Sequence, residues 1–195
     1  DLVISLTSEA AKGIITKPKT LHICCCLTPT RYLWSGYEEY FDNSIFRFIT
    51  KPAVSYLRAW DRVAAQRPDA FIAISKEVQE RIKKYYSRES EVVYPPVTIQ
   101  NSESRIQNLG YFLVVSRLVA YKQIDIAIKA CNKLRLPLKI VGTGGQERTL
   151  RSIAGPTVEF LGSLTDNELV EYYKTCRALI FPGYEDFGLS IVEAQ

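Results

Sequence analysis

The chain has 195 residues, 47% of them apolar and 24% charged, with a net charge of +4. That is room for one full domain or two incomplete ones with a real core, and it excludes a disordered chain and a coiled coil. So modest a charge also excludes the electrostatic footprint of a nucleic-acid binder.

No apolar run reaches the length of a membrane span and no secretory pattern opens the sequence, so a cytoplasmic location is the default expectation. Residues 1–6 read as an apolar strand and residues 8–12 as a short helix capped by Ser8. The nearly continuous apolar run 19–26 is expected of a strand buried in a parallel sheet. Its three adjacent cysteines, Cys24 to Cys26, point alternately to opposite faces. With Cys131 and Cys176 they are read as reduced, small hydrophobic side chains, not as a disulfide framework or a metal knuckle. His22 has no second histidine with which to share a metal.

A loop follows from Thr28 to Trp34, then an aromatic-rich segment with Tyr37, Tyr40, Phe41, Phe46 and Phe48. Two readings stand open for it: packing beneath a long connection, or an acceptor-side wall at the carboxyl end of a strand. Val54, Leu57 and Ala64 recur at helical spacing, which predicts a helix over 52–66 with Pro52 in its first turn. A short strand is expected at 69–74 and a helix capped by Ser75 at 75–86. The basic residues of that helix, Arg81, Lys83, Lys84 and Arg88, read as a solvated face, with an anionic membrane surface as the alternative. One more strand, 91–94, ends at Pro95 and Pro96. The polar stretch 97–108 then reads as a linker between domains.

Beyond it strands at 111–116, 138–141, 157–161 and 178–181 alternate with helices at 124–134, 146–153, 166–174 and from 188 onward. Repeated strand and helix with short connections predicts a parallel sheet with right-handed crossovers. The chain begins on a strand and stops inside a helix, so both lobes are read as incomplete.

Four loops of this second half leave carboxyl ends of strands and would share one rim, where open α/β sheets bind ligands. The first carries Arg117 and Lys122, a guanidinium and an ammonium suited to the two phosphates of a nucleotide diphosphate. The second, Gly142-Thr-Gly-Gly145, permits close backbone approach but lacks the full dinucleotide fingerprint and the lysine of a P-loop. The third, 161–166, reads either as backbone facing a nucleobase or as a capped turn before the Asp166 helix. The fourth sets Glu185 and Asp186 before Gly188 and a new helix, whose free N–H groups favour an anion.

Glu185-x7-Glu193 encloses Phe187-Gly188-Leu189. With Ser116-Arg117, Lys122, the glycine turn and Val158-Glu-Phe-Leu-Gly162 in this order, it resembles the donor domain of the retaining glycosyltransferases of the family 4 group. Residues 22–34, His-Ile-Cys-Cys-Cys-Leu-Thr-Pro-Thr-Arg-Tyr-Leu-Trp, look like a loop of its bacterial mannosyltransferase-like members. The resemblance implies a GT-B architecture of two Rossmann-like lobes: 1–108, the acceptor-side lobe with its linker, and 109–195, the donor lobe. It implies that Arg117 and Lys122 hold the donor diphosphate and neutralise the departing nucleotide, that Glu185 meets the sugar hydroxyls, and that these three carry catalysis. Gly142 and the amides of Phe187, Gly188 and Leu189 would line the donor, and Glu193 would accept from the ribose.

The expected donor is a nucleotide-diphosphate sugar, GDP-mannose ahead of a UDP-sugar, and the acceptor a saccharide or a lipid-linked one. Peripheral contact with the inner face of a membrane is an open expectation. No Asp-x-Asp occurs, so no metal site and no resident cofactor are expected. One departure stands out: Leu27 occupies the position before Thr28-Pro29 where these members commonly place a histidine, and leucine neither hydrogen-bonds a sugar nor holds a proton. Two other readings follow from the residues, a catalytically silent nucleotide-sugar-binding lobe and a flavodoxin-like regulatory domain. The second does not account for Arg117, Lys122 and Glu185 sharing a rim.

Overall fold

The structure is a computed structural model and describes residues 1–40, 44–97 and 110–195. It divides into two compact units, Asp1–Pro96 and Val97–Gln195. Among the described residues no helix is long and apolar enough to cross a membrane.

In the first unit β1 (Leu2–Thr7) and β2 (Leu21–Cys26) are followed by α1 (Tyr37–Tyr40), α2 (Ser44–Ala64), β3 (Ala70–Ala73), α3 (Lys76–Tyr86) and β4 (Glu91–Val92). The strands pair in parallel in the order β1-β2-β3-β4. Cys24 and Cys26 are buried with Phe71, Val78, Ile82 and Tyr86, while Cys25 on the opposite face is half-buried. Cys24 and Cys26 of β2 thus fill core positions in the cluster that α3 completes. Ser75 begins α3 as expected, its hydroxyl accepting from the Val78 amide at 3.1 Å.

In the second unit β5 (Phe112–Val115), α4 (Ile124–Leu134), β6 (Leu138–Val141), α5 (Glu147–Ile153), β7 (Val158–Gly162), α6 (Asp166–Thr175), β8 (Ala178–Leu179) and α7 (Leu189–Glu193) follow in strict alternation. Their parallel order is β7-β6-β5-β8. Successive residues of β5 face opposite sides: Val114 joins Ile124, Ile128, Ile140 and Leu150 under α4 and α5, while Leu113 joins Tyr111 and Val141 under α6. Helices on both faces explain why these strands are apolar throughout. The Asp166 turn is capped: Thr165 accepts from the Glu168 amide and the Glu168 carboxylate accepts from the Thr165 amide.

The structure corrects three local expectations. The helix predicted over 52–66 is α2, and Pro52 sits inside it rather than in its first turn. The apolar residues before Pro52 keep helical spacing, and Pro52 itself is exposed. Phe46 and Phe48 consequently lie on α2, both exposed rather than packed beneath a connection. Phe41 lies outside the described residues, as does the proposed linker apart from Val97. Ser8 caps nothing: residues Ala10–Gly13 form a 3-10 turn without a side-chain cap.

Lys12, on that turn, is buried. Its ammonium pairs with Asp61 at 2.5 Å and donates to the Glu9 carbonyl, and Asp61 also accepts from Trp34 Nε1 at 2.7 Å and Tyr86 Oη at 2.8 Å. The charge pair is tolerated inside because the carboxylate oxygens are fully used. Burial first, and then the Asp61 charge and hydrogen bond, push the Tyr86 hydroxyl upward, so it stays a donor. Of the basic residues read on α3, Lys83 and Lys84 are exposed, as a solvated face requires, with Lys83 paired to exposed Glu89, whereas Arg81 pairs with Glu77 and Arg88, just past the helix, donates to the carbonyls of Ala65, Pro68 and Asp69.

Candidate functional site

The order β7-β6-β5-β8 fixes where the second sheet opens. The chain runs from β5 outward through β6 to β7, then returns past β5 to place β8 on its other side. The strand order therefore reverses between β5 and β8, and a crevice forms outside carboxyl ends at such a point. The loops that leave these two strands are the ones carrying Arg117, Lys122 and Glu185.

After β5 the backbone passes Ser116 to Val119, forms a 3-10 turn at Ala120–Lys122, and enters α4 through Gln123 in the left-handed region. The turn aims Lys122 inward, where it is 5% exposed. Its ammonium forms an ion pair with the Glu185 carboxylate from the β8 loop. Two rings flank the cation, Tyr121 at 5.2 Å and Phe181 at 5.6 Å from their centroids. A lysine this buried requires a counter-charge, and the rings add quadrupole attraction on its open sides. Arg117 is exposed and donates from Nη2 to the Tyr121 hydroxyl at 2.8 Å.

Glycines set the close approach of these loops. A Cβ on Gly183 would stand 2.9 Å from both the Cα and the carbonyl oxygen of Lys122, so only glycine lets the β8 loop lie on the Lys122 turn. Gly142, at φ +128°, has its bare side against the Ser116 carbonyl, where a Cβ would collide. Hydrogen bonds tie the same rim together: the Leu118 amide donates to Thr143 O at 2.9 Å and the Gly142 amide to Gly162 O at 2.7 Å. The close backbone approach read from the glycine turn is thus, in the first instance, of one loop to another.

Gly188, at φ +81°, turns the chain into α7, whose first residue Leu189 is exposed; Phe187, just before the turn, is half-buried. Glu193 is exposed on α7 and accepts from the Tyr173 hydroxyl of α6 at 3.1 Å. Burial, followed by the Glu193 charge, pushes the Tyr173 hydroxyl upward. The structure therefore joins Lys122 to Glu185 directly and Arg117 to them through Tyr121, and it gives Glu193 a separate partner.

Tyr121 and Phe181 escaped the sequence reading. The signal was available for Tyr121, four residues beyond Arg117 and adjacent to Lys122. Nothing local marked Phe181, which reads as the end of an apolar strand. Leu27 lies in the other unit just past β2, its amide donating to Thr7 O at 2.9 Å.

The second lobe is thus a doubly wound α/β lobe with a cation and a carboxylate joined across its strand reversal, beside an exposed arginine. The family is more specific. The model of the glycosyl transferases group 1 family matches residues 98–195, half of the chain, and the chain belongs to this family. It is 29% identical over 155 residues to the O-antigen chain mannosyltransferase C of Escherichia coli, covering 71% of this chain and 40% of that protein. To the serotype-specific mannosyltransferase WbdA of Escherichia coli it is 26% identical over 213 residues, covering 91% of this chain and 24% of that one. The chain thus spans well under half the length of either. Among solved structures it is similar to TarM with a TM-score of 0.72 at 15% identity, covering 99% of this chain and 38% of that one. This likeness concerns the fold, two α/β lobes with parallel sheets of the GT-B type.

Proposed function

We propose that the protein to which this chain belongs is a retaining glycosyltransferase of the family 4 group. It moves a hexose, mannose in the first instance, from a nucleotide-diphosphate sugar to a saccharide or lipid-linked acceptor. The observation that carries the reading is the buried Lys122–Glu185 pair at the strand reversal of the second lobe. In that reading residues 109–195 are the donor lobe and residues 1–108 the acceptor side.

The residues divide the chemistry as follows. The departing nucleoside diphosphate gains negative charge as the glycosidic bond breaks, and a cation already dehydrated beside it stabilises that charge without reorganisation. Lys122 supplies that cation and exposed Arg117 a second one, steadied by Tyr121. Donor binding draws the Lys122 ammonium toward phosphate, which frees the Glu185 carboxylate to accept from sugar hydroxyls. Gly142, Phe187, Gly188 and Leu189 line the donor, and Glu193 turns from Tyr173 to the ribose. The acceptor attacks on the face the diphosphate leaves. GDP-mannose is the favoured donor, on the resemblance of residues 22–34 and the mannosyltransferase relatives.

The test is calorimetry with GDP, UDP and ADP, followed by radiolabel transfer with the full-length protein. Lys122→Ala should weaken nucleoside diphosphate binding about 10- to 100-fold, the loss of about 1.5–3 kcal/mol for a hydrogen bond to a charged group. Transfer unchanged in both Lys122→Ala and Glu185→Ala would refute the reading.

A second reading, a silent nucleotide-sugar-binding lobe, is favoured by Leu27. It keeps the nucleotide binding and its loss in Lys122→Ala, but shows no turnover in the full-length protein until Leu27→His is introduced.

A further inference from the structure

We infer that the Lys122–Glu185 pair is a lock on sugar binding: until an anion reaches Lys122, the carboxylate that reads the sugar is withheld, and the site refuses a hexose that carries no diphosphate. The inference rests on the donor-site reading above and adds an order of events to it. That reading assigns the ammonium to the phosphates and the carboxylate to the hydroxyls of one ligand, yet the structure bonds the two to each other. The pair is no surface contact. Lys122 is 5% exposed and Glu185 28%, and the ring centroids of Tyr121 and Phe181 stand 5.2 and 5.6 Å from the ammonium. A cation this dehydrated keeps a counter-charge beside it, because leaving it unpaired is costly. The Glu185 loop is held close as well: Gly183 seats it on the Lys122 turn so tightly that a Cβ would stand 2.9 Å from the Lys122 backbone. The moving part is therefore the carboxylate, not the loop.

Exchange of counter-charge opens the lock. A diphosphate arriving at Lys122 gives the ammonium a second anion, and the two anions repel each other in a site too dry to screen them. The carboxylate then loses its hold on the ammonium and needs other donors, since an ionised carboxylate only accepts. Sugar hydroxyls are such donors, neutral and in adjacent pairs that match the two carboxylate oxygens. Each part of the ligand thus favours the other: phosphate frees the group that binds the sugar, and a sugar bonded to Glu185 leaves Lys122 to phosphate. Coupling of this kind is reciprocal and typically amounts to about 5- to 150-fold in affinity. Because the lock is an ion pair, a small polyanion opens it and a neutral nucleoside does not. The result is selectivity: hexoses free in solution, which share the hydroxyls of a donor sugar but lack its phosphates, bind poorly.

The experiment titrates the full-length protein with methyl α-mannoside, and in parallel with the methyl glucoside and galactoside, by ligand-observed NMR. Each titration is run in buffer alone, with saturating pyrophosphate and with guanosine. Pyrophosphate should tighten hexoside binding at least about fivefold, and guanosine should leave it unchanged. Lys122→Met removes the charge and keeps a long apolar side chain between the rings, so it should bind the hexoside without pyrophosphate as tightly as the unaltered protein does with it. Glu185→Gln should bind pyrophosphate yet show one hexoside affinity with and without it. Thermal melts and far-UV circular dichroism establish that each variant is folded. The inference alone is overturned if pyrophosphate binds and hexoside affinity does not change, or if guanosine tightens it equally. It is also overturned if folded Lys122→Met binds the hexoside as weakly as the unaltered protein in buffer. If neither pyrophosphate nor GDP, UDP or ADP binds the unaltered protein, the donor-site reading falls and the inference with it.

Discussion

Lys122 and Glu185 are unequal partners, and that inequality is measurable. The lysine is 5% exposed and the glutamate side chain 28%. Removing the glutamate leaves a buried ammonium without its counter-charge, whereas removing the lysine leaves a carboxylate that water reaches. Glu185→Ala should therefore destabilise the second unit by about 2 kcal/mol or more, and Lys122→Met by less, in urea unfolding. His22 offers a second test. It is 1% exposed, its Nε2 lies 2.9 Å from the Ser5 hydroxyl, and its Nδ1 has no hydrogen-bond partner. Burial holds the imidazole below its ordinary value, against the opposing pull of Asp69. The unfolded chain takes up this proton near pH 6.5, the folded one only at lower pH, so the unfolded state binds more protons in between. Stability is complete above about pH 6.5 and is lost as pH falls through the lower folded value. Thermal melts from pH 8 to pH 5 should show that fall, and His22→Gln should flatten it.

Among the elements, α2 departs furthest from its sequence reading. Pro52 signalled a helix start because proline suits the first turn, where its missing N–H costs nothing. Here the helix runs eight residues before it, from Ser44. Phe46 and Phe48, from the aromatic run that suggested a packed connection, lie on the helix, exposed. Asp61 was hidden for a related reason: it lies on the buried side of α2 with Val54 and Ala64, and only Lys12, forty-nine positions away in sequence, explains a carboxylate there. Since Pro52 is exposed and interior, Pro52→Ala should restore a helical hydrogen bond and raise the first unit's stability by about 1–2 kcal/mol, read in chemical denaturation. A helix truly beginning at residue 52 would show no gain.

Among the described residues each unit has its own core, the first around Cys24, Phe71 and Ile82 and the second on both faces of its sheet, around Val114 and Ile140 on one and Leu113 on the other. Units with their own cores unfold as their own cooperative steps. Denaturation should show two transitions, with Val78→Ala shifting one and Ile140→Ala the other. GDP should raise only the one that Ile140→Ala shifts, because ligand stabilises the unit that binds it. At this scale the division between sequence and structure is clear. Apolar runs and helical spacing placed β1 to β8 and most helices within a residue or two, since those patterns are local. The loops after β5 and β8 were likewise legible, because Arg117, Lys122 and Glu185 are chemically conspicuous. Only the tertiary structure decided that β8 returns to pair with β5, which brings Lys122 and Glu185 together around Phe181 and Gly183. It likewise decided that one face of α2 stays in water. Strand order and helix orientation depend on contacts between residues far apart in the chain, and the period of a single segment carries no record of its neighbours.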